Sequence, residues 1–211
     1  MKFTPTDLAD AVTVELEKRA DDRGFFARTF CAEEFGRAGL ATAFPQSNHS
    51  RNRTKGTLRG MHFQRPPAGE VKLVRVVRGA VHDVIVDIRP ASPSFGRWQG
   101  FDLDAEAGRM LYVPAGFAHG FQTLEDDTDV TYMVSHPYAP GAEGGLRWDD
   151  PLLAIRWPLP VAAISDKDAA SPARSRSGQA ASLSEIAATG SGQRMARSGS
   201  SQRRPPSAPG A

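Results

Sequence analysis

Cysteine is nearly missing from this 211-residue chain: Cys31 is the only one. No intrachain disulfide can form, and no cysteine-built metal cluster is available. Long apolar runs are also missing. Nothing has the length to span a bilayer, and the opening MKFTPTDLAD has no signal-type apolar stretch. A cytoplasmic protein with no membrane partner is the expectation. There is no Gly-rich dinucleotide fingerprint, no P-loop and no alternating βα pattern. Acidic residues are scarce at one end only. After Asp168, six arginines stand against one acid, Glu185, for a net +5, while the first 168 residues carry 20 basic and 23 acidic residues, net −3. The basic pI therefore belongs to the tail, and whole-chain charge supports no nucleic-acid partner.

What is present reads as one domain over residues 1–168 and a tail over 169–211. The tail is Ser, Ala, Gly, Pro, Gln and Arg with almost no large apolar residue. It cannot bury enough surface to offset chain entropy and is expected to be disordered, with Leu183–Ala188 as its candidate short helix. In the domain, Glu33–Leu40 is the best helix candidate, closed by glycine. Strands are expected at Val71–Arg78, Ala80–Ile88, Trp98–Leu103, Arg109–Val113, Gly120–Leu124 and Val130–Val134. Short strands about 8–12 residues apart, punctuated by Gly, Pro and Asp, predict an all-β antiparallel sandwich or barrel.

Two histidines stand out. His62 lies in Leu58-Arg59-Gly60-Met61-His62-Phe63-Gln64, three residues after an arginine and ten before Lys72. A base, a cation and an anion-binding guanidinium suit proton abstraction beside a carbonyl in a phosphorylated substrate, although a lone histidine is more often structural. His119 closes Pro114-Ala115-Gly116-Phe117-Ala118-His119, which has the P-x-G-x-x-H pattern of the second cupin motif. The first cupin motif normally adds H-x-H and a glutamate. Here Met61 and Phe63 flank His62, leaving Glu70 as the third candidate ligand beside His62 and His119. A stable site wants at least three protein ligands, so the reading is no metal. Tyr132 shares a strand face with Val130 and points into the barrel if Val130 does; a packing tyrosine is the bland alternative.

Seven segments occur in one order: DDRGFF, QSNHS, GTLRGMHFQ, KLVRVVRGAVHDVIVDIR, VPAGFAHGF, GLRWDDP and SDKD. Together they resemble the dTDP-4-dehydrorhamnose 3,5-epimerase family from about Phe3 to Asp168. The resemblance implies a cupin-type jelly roll with a few short helices, no cofactor, a homodimer, and a dTDP-linked 4-keto sugar as substrate. The implied reaction epimerises C3 and C5 of dTDP-4-dehydro-6-deoxy-D-glucose on the way to L-rhamnose. By position, His62 corresponds to the family's general base, Asp168 to its carboxylate partner, Lys72 to the lysine at the sugar ketone and Tyr132 to the acid on the opposite face. Arg23, Phe26, Gln46, Ser47, Asn48 and Arg59 fall on nucleotide or diphosphate contacts, and His119, Glu143 and Lys167 on further substrate contacts. Arg28 departs, standing where the family usually has a glutamate, which bears on substrate choice more than on reaction type. The alternatives are a single-centre epimerase or isomerase of a related sugar, a metal-dependent cupin using His62, His119 and Glu70, and a non-catalytic sugar-nucleotide-binding module.

Overall fold

The computed structural model describes residues 1–171. The tail expectation, including Leu183–Ala188, therefore falls almost wholly outside the described residues. The described part is nearly all strand. In chain order these are β1 (Lys2–Pro5), β2 (Val12–Glu15), β3 (Arg19–Asp21), β4 (Gly24–Phe26), β5 (Gln46–Asn52), β6 (Leu58–Gln64), β7 (Lys72–Arg78), β8 (Ala80–Asp87), β9 (Trp98–Asp104), β10 (Met110–Val113), β11 (Phe117–Thr123), β12 (Thr128–Val134) and β13 (Glu143–Gly145). Helix α1 spans Ala32–Arg37 and helix α2 spans Asp166–Ala169. No described helix is long and apolar enough to cross a membrane.

Two antiparallel sheets face each other. One runs β1-β2-β10-β7-β12-β5 and the other β13-β6-β11-β8-β9, with β3 and β4 forming a separate hairpin. Their inner faces meet in one apolar core. Val74, Val76, Leu111, Val113 and Val130 come from the first sheet, and Val81, Ile85, Leu103, Phe117 and Phe121 from the second. Both outer faces are also covered. Phe35 of α1 packs with Val14, Leu73, Met110 and Tyr112 on the first. Leu146 and Leu153 pack with Met61, Phe63, Val84 and Val86 on the second. Strands covered on both sides have no wet face to alternate with. This is why MLYV and FAHGFQT are buried at every position.

Strand β11 starts at Phe117, three residues before the sequence suggested. Gly116, at φ +81°, completes the turn in the left-handed region, and the chain is extended from the next residue. Helix α1 ends earlier than Leu40 because Gly39 takes φ +73° just past the last turn, the usual left-handed stop.

Candidate active site

The site lies at one end of the sandwich, between the sheets. A cavity of about 440 Å³ is walled by Arg59, His62, Lys72, His119, Tyr132 and Asp168, among others. A neighbouring cavity of about 280 Å³ has His62, Lys72 and Tyr132 as common wall and adds Gln46, Asn48, Glu70, Tyr138 and Glu143.

His62 stands on β6, where a local irregularity sets its surroundings. Opposite β11, His62 pairs with His119, but Arg59 pairs with Phe121, so three steps along β6 match two along β11. That extra residue is a bulge. Two glycines permit it. A Cβ on Gly60, whose φ is +129°, would sit 2.4 Å from Gly120 Cα. In a regular strand, positions 59 and 62 point to opposite faces. The bulge brings both side chains to the same cavity.

The partner of His62 arrives from 106 residues away. The segment before α2 is tied beside β6 by the Leu58 N–H, which donates to Ala163 O at 2.8 Å. Ser165 then caps α2, its Oγ accepting from Asp168 N–H at 3.2 Å. Asp168 is buried. Its Oδ1 lies 2.8 Å from His62 Nε2, and its Oδ2 accepts from Gly60 N–H at 3.1 Å. Both oxygens are thus engaged, which holds the imidazole plane and leaves Nδ1 as the ring atom available for proton transfer. Burial lowers the His62 pKa, Asp168 pulls it back up, and Lys72 and Lys167 lower it further; the net direction is down. The downward shift favours the neutral ring, the form that can accept a proton.

Lys72 opens β7 on the same face as Val74 and Val76, so it enters the mouth of the core. It is buried, with Nζ 3.3 Å from Glu70 Oε1. Gln64 Nε2 donates to the other oxygen of Glu70 at 3.0 Å. Tyr132 projects from β12, in the sheet facing His62, and packs against the same core as Val130. Its pKa is raised, by burial first and by Glu70 second, so the phenol keeps its proton. His62 and Tyr132 thus stand on opposite walls, with Lys72 on β7, the strand next to β12.

Arg59, whose Nε donates to Asn52 Oδ1 at 2.6 Å, and Lys167, which pairs closely with Glu143, put positive charge at the rim. Gln46 and Asn48 line the second cavity, their amides joined at 2.9 Å. Ser47 does not line either cavity. It is exposed on the other face of β5, as alternation along a strand requires. Arg23, Phe26 and Arg28 are not brought to the cavity of their own chain. Arg23 pairs with Asp21 on the β3–β4 hairpin, Phe26 is 70% exposed, and Arg28 donates to Glu34 at 2.8 Å.

Several site residues escaped the sequence reading. Tyr138, whose hydroxyl donates to Glu143 at 2.8 Å, sits in a Pro-flanked loop with no periodic signal. Asp83 is buried behind His119. The three residues considered for a metal have other partners: His62 goes to Asp168, His119 to Asp83 and Glu70 to Lys72 and Gln64. Among the described residues, no three His, Cys, Asp or Glu side chains are grouped to hold a metal ion.

Comparison with known proteins places the chain in a family. The family model described as dTDP-4-dehydrorhamnose 3,5-epimerase matches residues 5–175. A relative of that name from Sinorhizobium fredii is 41% identical over 173 residues, which is 82% of this chain and 89% of the relative. A dTDP-4-dehydrorhamnose 3-epimerase from Streptomyces niveus is 37% identical over 169 residues, 80% of this chain and 81% of that protein. The crystal structure of the 3,5-epimerase from Bacillus anthracis, with TDP and PPi bound, superposes with a TM-score of 0.80 at 42% identity, covering 82% of this chain and 98% of that one. The cupin-like β-sandwich, the opposed histidine and tyrosine and the matched relatives lead to one conclusion: this chain belongs to the dTDP-4-dehydrorhamnose 3,5-epimerase family.

Proposed function

We propose that this protein epimerises C3 and C5 of dTDP-4-dehydro-6-deoxy-D-glucose, giving dTDP-4-dehydro-L-rhamnose. The observation that carries the reading is the placement of a neutral, carboxylate-held His62 and a protonated Tyr132 on facing sheets, with Lys72 nearby. Both carbons are α to the C4 ketone, so each C–H can ionise to an enolate. His62 Nδ1 takes the proton, and the C–H electron pair moves into the ring to leave negative charge on the C4 oxygen. Lys72 donates to that oxygen. Tyr132 returns a proton from the opposite wall, which inverts the centre. After each inversion His62 holds one extra proton and Tyr132 lacks one, so both reset by exchange with water. Arg59 and Lys167 are suited to the diphosphate.

The test is incubation in D2O without added metal or nicotinamide, followed by NMR. Deuterium should enter at C3 and C5, and no exchange at either carbon would sink the proposal. Deuterium at C3 alone would support the 3-epimerase outcome instead. Relatives around 41–43% identical carry the 3,5 name, which favours both centres.

The protein is further proposed to act as a homodimer in which the β3–β4 hairpin, with Arg23 and Phe26, completes the partner's site. Support comes from two neighbouring phenylalanines on that hairpin, Phe25 at 50% and Phe26 at 70% exposed, and from Arg23 lying away from its own cavity. Mixing inactive Arg23→Ala and His62→Ala chains should then restore roughly a quarter of wild-type activity, since random pairing gives one intact site in about half of the dimers. No recovery after confirmed subunit exchange would refute it. A single cysteine, Cys31, suits a reducing compartment, and the cytoplasm is the proposed location.

A further inference from the structure

A second histidine–aspartate pair stands beside the first. His119 and His62 are direct cross-strand partners on β11 and β6, and both line the larger cavity. His119 Nε2 lies 2.9 Å from Asp83 Oδ2. Asp83 does not line that cavity. It sits behind the ring on β8, between Val81 and Ile85 of the inner face, and is 0% exposed. Its other oxygen, Oδ1, is buried and has no hydrogen-bond partner among the described residues. Among the described residues, the side-chain hydrogen bond of this carboxylate is thus the one to His119.

As a stabilising device this pair is a poor choice. Desolvating a carboxylate costs more than one hydrogen bond commonly returns, and apolar replacements of buried ion pairs are often neutral or stabilising. What the pair does supply is orientation. With Nε2 turned to Asp83, the only ring nitrogen His119 can offer to a bound molecule is Nδ1.

We propose that Asp83 is a positioning residue for the epimerisation, acting through His119: it holds the ring with Nε2 protonated and turned inward, so that Nδ1 meets an oxygen of the sugar. The inference rests on the reading of this cavity as the epimerase site. It makes the site a double one, with His62 held by Asp168 for proton transfer and His119 held by Asp83 for binding the reacting sugar in register.

Three measurements test it. Asp83→Asn keeps the shape but offers an amide that can turn its NH2 toward Nε2 and favour the wrong tautomer. Its kcat should fall at least about 30-fold with KM changed less than about 3-fold, as for an interaction strongest in the transition state. In a His119→Gln background, Asp83→Asn should cost little more, because the residue it acts through is gone. Asp83→Leu removes the buried charge but leaves His119 Nε2–H without its acceptor, two effects of opposite sign on Tm, and it should lose activity like Asp83→Asn because the ring is no longer held. Independently of any variant's folding, a long-range 1H–15N spectrum of the wild-type protein should show His119 Nε2 bearing a proton. An Nδ1–H tautomer, an Asp83→Asn enzyme with kcat within about 3-fold of wild type, or an undiminished Asp83→Asn effect without His119 would each overturn the proposal. Wild-type deuterium exchange at C3 and C5 is run alongside: its absence would sink the epimerase reading, whereas intact exchange with an indifferent Asp83 would sink only this one.

Discussion

Replacing Asp168 with asparagine should damage catalysis more than replacing it with alanine, although asparagine is the better structural mimic. Asp168 accepts twice, from His62 Nε2–H at 2.8 Å and from Gly60 N–H at 3.1 Å. Asparagine has one oxygen and one NH2, so one of these contacts must change. If the NH2 faces Gly60, a buried backbone donor loses its acceptor, at about 1–3 kcal/mol. If it faces His62, the ring needs only to move its proton to Nδ1 and accept at Nε2, which leaves every buried group paired. The second arrangement wins, and it puts the proton on the atom that should be abstracting one. A wrong-tautomer aspartate-to-asparagine change in the serine-protease triad costs about 10,000-fold in kcat; a loss of about 1,000- to 10,000-fold is expected here, or roughly 4–5.5 kcal/mol of barrier. In Asp168→Ala the ring still samples the productive tautomer, and a loss of only about 30- to 100-fold is expected from weaker basicity and poorer orientation. Stability should follow the opposite order, alanine below asparagine, because alanine leaves Gly60 N–H without its acceptor. Removing the carboxylate also lowers the His62 pKa, since Asp168 is what raises it against burial. His62 must be neutral to act, so activity fails as pH falls through that pKa, and the acid limb of the pH–rate profile should move to lower pH in both variants. Initial rates by NMR from pH 4 to 9, with thermal melts of each variant, decide the matter. Asp168→Ala as slow as Asp168→Asn, or an acid limb that stays or moves upward, would refute the assignment.

Tyr132→Phe should separate exchange from inversion: deuterium should still enter at the carbon that His62 deprotonates, within about 10-fold of wild type, while inverted product trapped with a reductase falls by about 100-fold or more. Equal losses in the two assays would show that Tyr132 is not the acid. Gly60→Ala should lower stability by about 3–5 kcal/mol, from a left-handed φ combined with backbone overlap against Gly120. A Tm within about 2 °C of wild type would show that β6 and β11 do not cross this closely.

Where side-chain periodicity and burial coincide, the sequence was a sufficient guide. β7, β8 and β12 carry β-branched residues between clear punctuation such as Gly79 and Arg89-Pro90, and Tyr132 follows Val130 inward as alternation demands. β5 could not be seen this way. QSNHSRN is polar throughout and is a strand because it pairs with β12 residue by residue from Gln46 to Asn52. Asp168 near His62 rested on family resemblance, since only the return of the chain past Ala163 brings them together. Two features broke local rules. Arg59 and His62, three apart in a strand, belong on opposite faces, and only the bulge at Gly60 puts them on one. Asp83 occupies an inner-face position between Val81 and Ile85, where alternation along β8 calls for an apolar residue. A folded chain tolerates a strand irregularity or a buried charge when other interactions compensate for it, and such departures tend to gather at working sites. Here they lie on β6 and β8, the two strands that flank β11, and so on either side of His119. The locally unfavourable choices in β6 and β8 are therefore the ones that set the geometry of the two imidazoles, and a version of this fold with a regular β6 and apolar residues at both 83 and 119 would be expected to be more stable and less active.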